Sequence, residues 1–170
     1  MSKVTRRAFL SLGSNLGDRC LFLRRAREAL AAIPETAVLA ASRIYETAPQ
    51  DFEDQPPFLN QVVCVQTGLP PAELLAAAQS IEDAQRRVRG VRFGPRTLDI
   101  DILLFEDVEL EEPDLMLPHP RMLSRAFVLV PLTEVWDFAR GMPGYDVASL
   151  AQVTALEQQV RPCDAAEASG

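Results

Sequence analysis

An α+β sandwich, with helices on one face of a mainly antiparallel sheet, is the fold class that the sequence predicts. Segments of period-two apolar alternation and segments of three-and-four spacing succeed one another in the order strand, helix, strand, strand, helix, strand. The chain has 170 residues, 48% of them hydrophobic, which suits one domain with a substantial core. No internal repeat or low-complexity tract interrupts that order.

The elements follow from local chemistry. Arg7 to Leu12 is apolar enough for a first strand, and Gly13 to Asp18 reads as a turn into a helix with Asp18 as its N-cap. A glycine turn before a helix can bind an anion, but G-x-G-x-x-G is absent and the turn reads as a simple connection. Leu23, Ala26, Leu30 and Ile33 form one stripe, and Pro34 stops the helix. Val38 to Tyr45 reads as the second strand. Glu46 to Phe58, with Pro49, Pro56, Pro57 and several acids, reads as a long loop of the kind that often carries function. Leu59 to Thr67 is the third strand, with apolar residues on both faces. Gly68 and Pro70-Pro71 turn the chain into a second helix, where Leu74, Ala78 and Ile81 share a face.

The most informative stretch is Arg86 to Phe105. Arg86, Arg87, Arg89, Arg92 and Arg96 crowd a segment with Gly90, Gly94 and Pro95, which suits a loop. The period then changes to two. Leu98, Ile100, Ile102 and Leu104 would face a core, and Asp99 and Asp101 the other side, about 7 Å apart by strand geometry. Two carboxylates so placed repel each other unless a cation sits beside them, and Mg²⁺ takes one or two carboxylates plus water and phosphate oxygens. The alternative is an edge strand with a solvated Asp face. After Phe105 come an acidic turn, the segment Leu117-Pro118-His119-Pro120-Arg121, and an apolar run from Phe127 to Leu132. His119 is the only histidine, and between prolines it reads as a surface or capping residue. Val147, Leu150, Val153 and Leu156 suggest a last amphipathic helix. A single domain is expected over 1–161 and a flexible tail over 162–170.

Composition excludes several classes. The net charge of −7 argues against a general nucleic-acid or membrane-surface binder, so any polyanion site is local. Sixteen arginines and the single Lys3 leave no G-x-x-x-x-G-K-[ST] loop, so phosphate would be held by guanidinium forks. Cys20, Cys64 and Cys163 match neither a disulfide framework nor a zinc spacing. The opening MSKVTRRAFLSLGSN has too short an apolar run for a signal sequence, and a cytoplasmic protein is expected.

Together, LSLGSNLGDR, YETAP, DQPPFLNQVV, RFGPRTLDIDILLF and LPHPRMLSRAFVLVPL resemble the 6-hydroxymethyl-7,8-dihydropterin pyrophosphokinases of folate synthesis (HPPK), over roughly Phe9 to Val135. GPRTLDIDILLF is the specific part; GSNLGD alone is weak. The resemblance implies a ferredoxin-like fold. It also implies transfer of the β,γ-pyrophosphoryl group of ATP to the pterin hydroxymethyl oxygen, with AMP released. Asp99 and Asp101 match ligands of two Mg²⁺ ions. Arg87, Arg96 and Arg125 match arginines on the triphosphate, with Arg89 nearby, and His119 matches a histidine at the nucleotide. Glu82, Gln85 and Ile102 are expected on the adenosine side. Phe58 and Phe127 match the aromatic pair that stacks on the pterin, while Thr47, Ala48, Pro49 and Asn60 line its polar edge. Three positions depart from the family pattern: Ala48 stands where proline is common, Phe58 where tyrosine often stacks, and Phe93 where tryptophan is usual.

ATP and the pterin are thus the expected partners, without nucleic acid or membrane, and a monomer is expected. An RNA-recognition module is the rival from another class. Arg89-Gly90-Val91-Arg92-Phe93 lacks its spaced aromatics, and the acidic charge disfavours it. A catalytically dead pterin or nucleotide sensor is opposed by the intact Asp99, Asp101 and Arg96.

Overall fold

The structure, a computed structural model, describes residues 4–47, 57–89 and 98–163, with 86–89 described by their backbone alone. The long first strand, β1 (Arg6–Ser14), is buried from Ala8 onward because it lies inside the sheet between β4 (Phe58–Thr67) and β5 (Asp99–Phe105), antiparallel to both. The other edge of β4 pairs with β2 (Thr36–Ala41) and then β3 (Tyr45–Thr47). The expected single strand from Val38 to Tyr45 is therefore two. The break is bridged by side chains: Ser42 Oγ accepts from Val62 N–H at 3.0 Å, and Gln61 Nε2 donates to Ser42 O at 2.6 Å. These bonds replace ladder bonds that the backbone gives up there.

Helix α1 (Arg19–Ala31) begins where expected, Asp18 Oδ1 accepting from Leu21 N–H at 3.1 Å. Its stripe Leu23, Ala26 and Leu30 packs with Leu74, Ala78 and Ile81 of α2 (Pro71–Arg89) against Leu10, Leu12, Val63 and Val65. Burying a leucine or isoleucine so stabilises the fold by about 1.5–3 kcal/mol. α2 runs through Arg89, so Arg86 to Arg89 are helical where a loop was expected. The glycines that argued for a loop begin only at Gly90, and the preceding AQRRVR is a good helix former.

The opposite sheet face is also covered, by α3 (Ala126–Thr133) and α4 (Val147–Glu157) over Phe9, Val62, Cys64, Leu103 and Leu104. Helices thus lie on both faces, not one. The run that forms α3 is apolar all round, so it has no helical period to read. In α4 only Val147 and Ala151 are buried, and Val153 and Leu156 stand exposed. Three successive steps of three residues rotate by about half a turn from Val147 to Leu156, whereas a step of four stays on one side. The alternation of β5 also breaks. Ile102 pairs with Leu10 and Leu104 with Phe9, so Leu103 is a bulge, and Leu104 turns to the second core instead of the first.

Beyond β5 a small hairpin, β6 (Leu110–Glu112) with β7 (Leu115–Leu117), stands apart from the main sheet. The last strand, β8 (Val160–Pro162), adds antiparallel to β3, and Cys163 N–H donates to Ile44 O at 2.8 Å. Pro162 and Cys163, expected at the head of a tail, are tied to the sheet edge. Among the described residues no helix is long and apolar enough to cross a membrane.

Candidate active site

Strand register decides which side chains share the face beneath α3, since residues opposite each other in a ladder point the same way. Asp99, Gly13 and Asn60 form one row that continues to Tyr45; Asp101, Ser11 and Val62 form the next; Phe58 pairs with Thr47 at the end. Both carboxylates therefore stand on the same face as Asn60, Thr47 and Phe58, with Asp99 half-buried and Asp101 exposed. Between them Ile100 points into the first core, and its N–H donates to Glu82 Oε2 at 2.9 Å. Glu82, expected beside adenosine, thus has one carboxylate oxygen on the edge strand that carries the aspartates.

Gly13 leaves this row open. A Cβ there would lie 3.2 Å from Asn60 Oδ1 and 3.9 Å from Phe58 Cδ1. Asn60 and Thr47 are both buried, and Asn60 Nδ2 donates to Thr47 Oγ1 at 2.8 Å. The carboxamide is thereby oriented, with its oxygen toward the glycine gap.

His119 is half-buried beside the end of β5, where its N–H donates to Leu103 O at 2.8 Å. Burial pulls the imidazole below its ordinary pKa; Asp101 opposes this, and Arg125 and Arg121 pull it further down. Nδ1 accepts from Arg121 N–H at 3.1 Å, so in the neutral ring the proton sits on Nε2. Arg125 has extended backbone immediately before α3, and its guanidinium carbon lies 5.4 Å from the centre of the Phe127 ring. The far end of α3 is held as well. Glu134 accepts from the Tyr45 hydroxyl and, at 2.9 Å, from Arg43 N–H.

The structure thus brings together Asp99, Asp101, Asn60, Thr47 and Phe58 through the sheet, and His119, Arg125 and Phe127 through the segment that closes over it. Gln85 is buried on α2, and its Oε1 has no hydrogen-bond partner among the described residues. Ile102 is buried in the first core. Ala48, Pro49, Phe93 and Arg96 lie outside the described residues, as do the side chains of Arg87 and Arg89. Gly13 and Arg121 were missed from the sequence. A glycine inside an apolar strand is a signal of close approach and could have been read; the backbone bond from Arg121 could not.

The donor set fits Mg²⁺ as follows. Among the described residues no group of three or more His, Cys, Asp or Glu could hold a metal ion. Two carboxylates facing a row opened by Gly13 nevertheless match a cation that takes few protein ligands and fills the rest with water and phosphate oxygens.

Fold and site define an α+β sandwich whose sheet carries two carboxylates on one face, with a histidine and an arginine on the segment that leads into α3. Comparison with known proteins narrows it. The family model described as 7,8-dihydro-6-hydroxymethylpterin-pyrophosphokinase (HPPK) matches residues 9–137. The 2-amino-4-hydroxy-6-hydroxymethyldihydropteridine pyrophosphokinase of Bacillus subtilis (strain 168) is 49% identical over 128 residues, 75% of this chain and 77% of that protein. The enzyme of the same name from Pseudomonas aeruginosa is 45% identical, over 78% of this chain and 82% of the relative. In fold, the chain superposes on wild-type Plasmodium falciparum HPPK-DHPS with SDX-DHP at a TM-score of 0.65 and 16% identity. That match covers 89% of this chain and 44% of the other, so the chain spans less than half of that protein. The chain belongs to the 7,8-dihydro-6-hydroxymethylpterin-pyrophosphokinase family.

Proposed function

We propose that the protein transfers the pyrophosphoryl group of ATP to 6-hydroxymethyl-7,8-dihydropterin, giving the pterin diphosphate and AMP in folate biosynthesis. Family membership supports the reaction, and one observation ties this chain's residues to it: the row of Asp99, Gly13 and Asn60 continues the carboxylate face into the polar pocket. Donor and acceptor can then meet on one surface.

In this reading Asp99 and Asp101 hold two Mg²⁺ ions. When bound, the metal supplies charge neutralisation on the phosphate oxygens. Arg87, Arg96 and Arg125 grip the triphosphate, with Arg89 nearby, and His119 donates from Nε2 to the nucleotide. Glu82 and Gln85 lie toward adenosine, whereas the side chain of Ile102, expected there too, packs in the first core. Phe58 and Phe127 sandwich the pterin ring, Thr47, Ala48, Pro49 and Asn60 read its polar edge, and Phe93 contributes from the arginine-rich segment. No side chain is assigned as a general base, since transfer of this kind depends chiefly on alignment and charge. The chain acts as one catalytic domain, which includes the C-terminal strand β8, and as a monomer.

The experiment is to incubate the purified protein with ATP, Mg²⁺ and the hydroxymethyl pterin and to separate the nucleotides by chromatography. AMP appearing in step with pterin diphosphate is expected. ADP accumulating in step with a pterin monophosphate would overturn the reading, because attack at the γ-phosphorus of ATP, as in an ordinary kinase, leaves ADP.

A further inference from the structure

Gln158 lies beyond residue 137, where the family match ends. Its backbone finishes α4, donating to Thr154 O at 3.0 Å, but its side chain serves a different helix. Oε1 accepts from Ala126 N–H at 2.8 Å, and Nε2 donates to Ser124 O at 2.9 Å. Ser124 and Ala126 flank Arg125, so one carboxamide grips the chain on both sides of that arginine. The first N–H groups of a helix need partners from outside it, and α3 has no side-chain cap from its own N-cap residue. Gln158 supplies that partner from the C-terminal segment.

The same segment reaches the opposite wall. Two residues later Val160 pairs with Thr47, the acceptor of the Asn60 amide, and Arg161 donates to Glu46 at 2.6 Å. The stretch from Gln158 to Cys163 therefore spans from the Arg125 and Phe127 side to the Thr47 and Asn60 side. A carboxamide suits the bridging position, since it offers one acceptor and one donor to one N–H and one C=O.

We infer that Gln158 is a positioning residue for the transfer reaction, fixing the backbone around Arg125 and so the guanidinium that serves the triphosphate. This rests on the reading of Arg125 given above. Loss of the clamp lets α3 fray at its first turn and leaves the guanidinium free to wander from its productive geometry.

The test is steady-state kinetics with ATP, Mg²⁺ and the hydroxymethyl pterin, alongside thermal unfolding and amide hydrogen exchange. The proteins compared are wild type, Gln158→Ala, Gln158→Glu, Arg125→Ala and the Arg125→Ala/Gln158→Ala double variant. Gln158→Ala should lower kcat roughly fivefold to tenfold, the scale of a lost helix cap, with KM for ATP changed less than about twofold. Exchange at the Ala126 amide should accelerate. Gln158→Glu keeps the acceptor for Ala126 and loses the bond to Ser124, so it should fold and fall between. In the Arg125→Ala background, Gln158→Ala should cause no further loss of kcat, because a residue acting through Arg125 has nothing left to position. Wild-type kcat in both Gln158 variants, or an equal fold loss with and without Arg125, would overturn the inference. Wild-type kcat in Arg125→Ala would overturn the reading of Arg125 itself, an outcome distinct from failure of the clamp.

Discussion

Asp99 and Asp101 differ from the residues around them in what their charges can do. Ile100, between them, is 4% exposed in the first core, and Leu98 and Ile102 are buried there too, so that face supplies stability. The carboxylates face away and contribute little to packing. If the pair holds Mg²⁺ as proposed, Asp99→Asn and Asp101→Asn should therefore keep a thermal midpoint close to wild type while losing most turnover, because each removes one charged ligand. Rates of AMP formation at saturating Mg²⁺ check this, and wild-type rates in either variant would sink the role given to the pair. At this scale the sequence was informative, because alternation fixes the face of every side chain up to Ile102. The bulge at Leu103 was not legible. Leu103 and Leu104 are both apolar and satisfy either core equally.

At the scale of elements, α3 decides how the site is closed from above. It begins at Ala126 directly after Arg125, and Phe127 in its first turn remains half-buried instead of sinking into the second core with Val128 and Leu129. Phe58, at the start of β4, is half-buried likewise. If the two rings stack on the pterin, Phe58→Ala and Phe127→Ala should each weaken pterin binding, by on the order of 1 kcal/mol beyond the buried area. Nucleotide affinity should barely change. Calorimetric titration with each ligand separates these effects, and equal weakening of both would make the rings supports of the fold. The helix itself escaped sequence reading because a segment buried all round carries no period. α2 was legible for a complementary reason, having one apolar stripe against solvent-facing Glu73, Asp83 and neighbours.

At the scale of the whole molecule, the sheet is closed by helices on both sides, and groups in its centre lose contact with water. Burial pushes the Cys64 thiol up from its ordinary 9.0 to about 12, with Arg7 pulling it down and Glu106 pushing it up. The folded state thus keeps the proton that the unfolded chain releases above pH 9, so this contribution to stability is fully present below pH 9 and is lost between pH 9 and about 12. The thermal midpoint of wild type should fall more steeply over that range than that of Cys64→Ala, measured by circular dichroism. Parallel slopes would show that the thiol does not titrate differently in the two states. The same burial should shield Cys64 from alkylating reagents at neutral pH until the protein unfolds.

The sequence by itself determined the order of elements, the α1 and α2 core face, the outward pair Asp99 and Asp101, and the resemblance that led to the family. Each of these depends on neighbours in the chain or on a short run such as GPRTLDIDILLF. Tertiary structure decided the rest: the second helical layer, the helical backbone of Arg86 to Arg89, the row joining Asp99 to Asn60 through Gly13, and the C-terminal strand on β3. It alone showed that Gln158, far along the chain from Arg125, bonds on both sides of it. Hydrogen-bond partners and strand register across such separations are set by how the whole chain closes its core, and no local period or spacing encodes them.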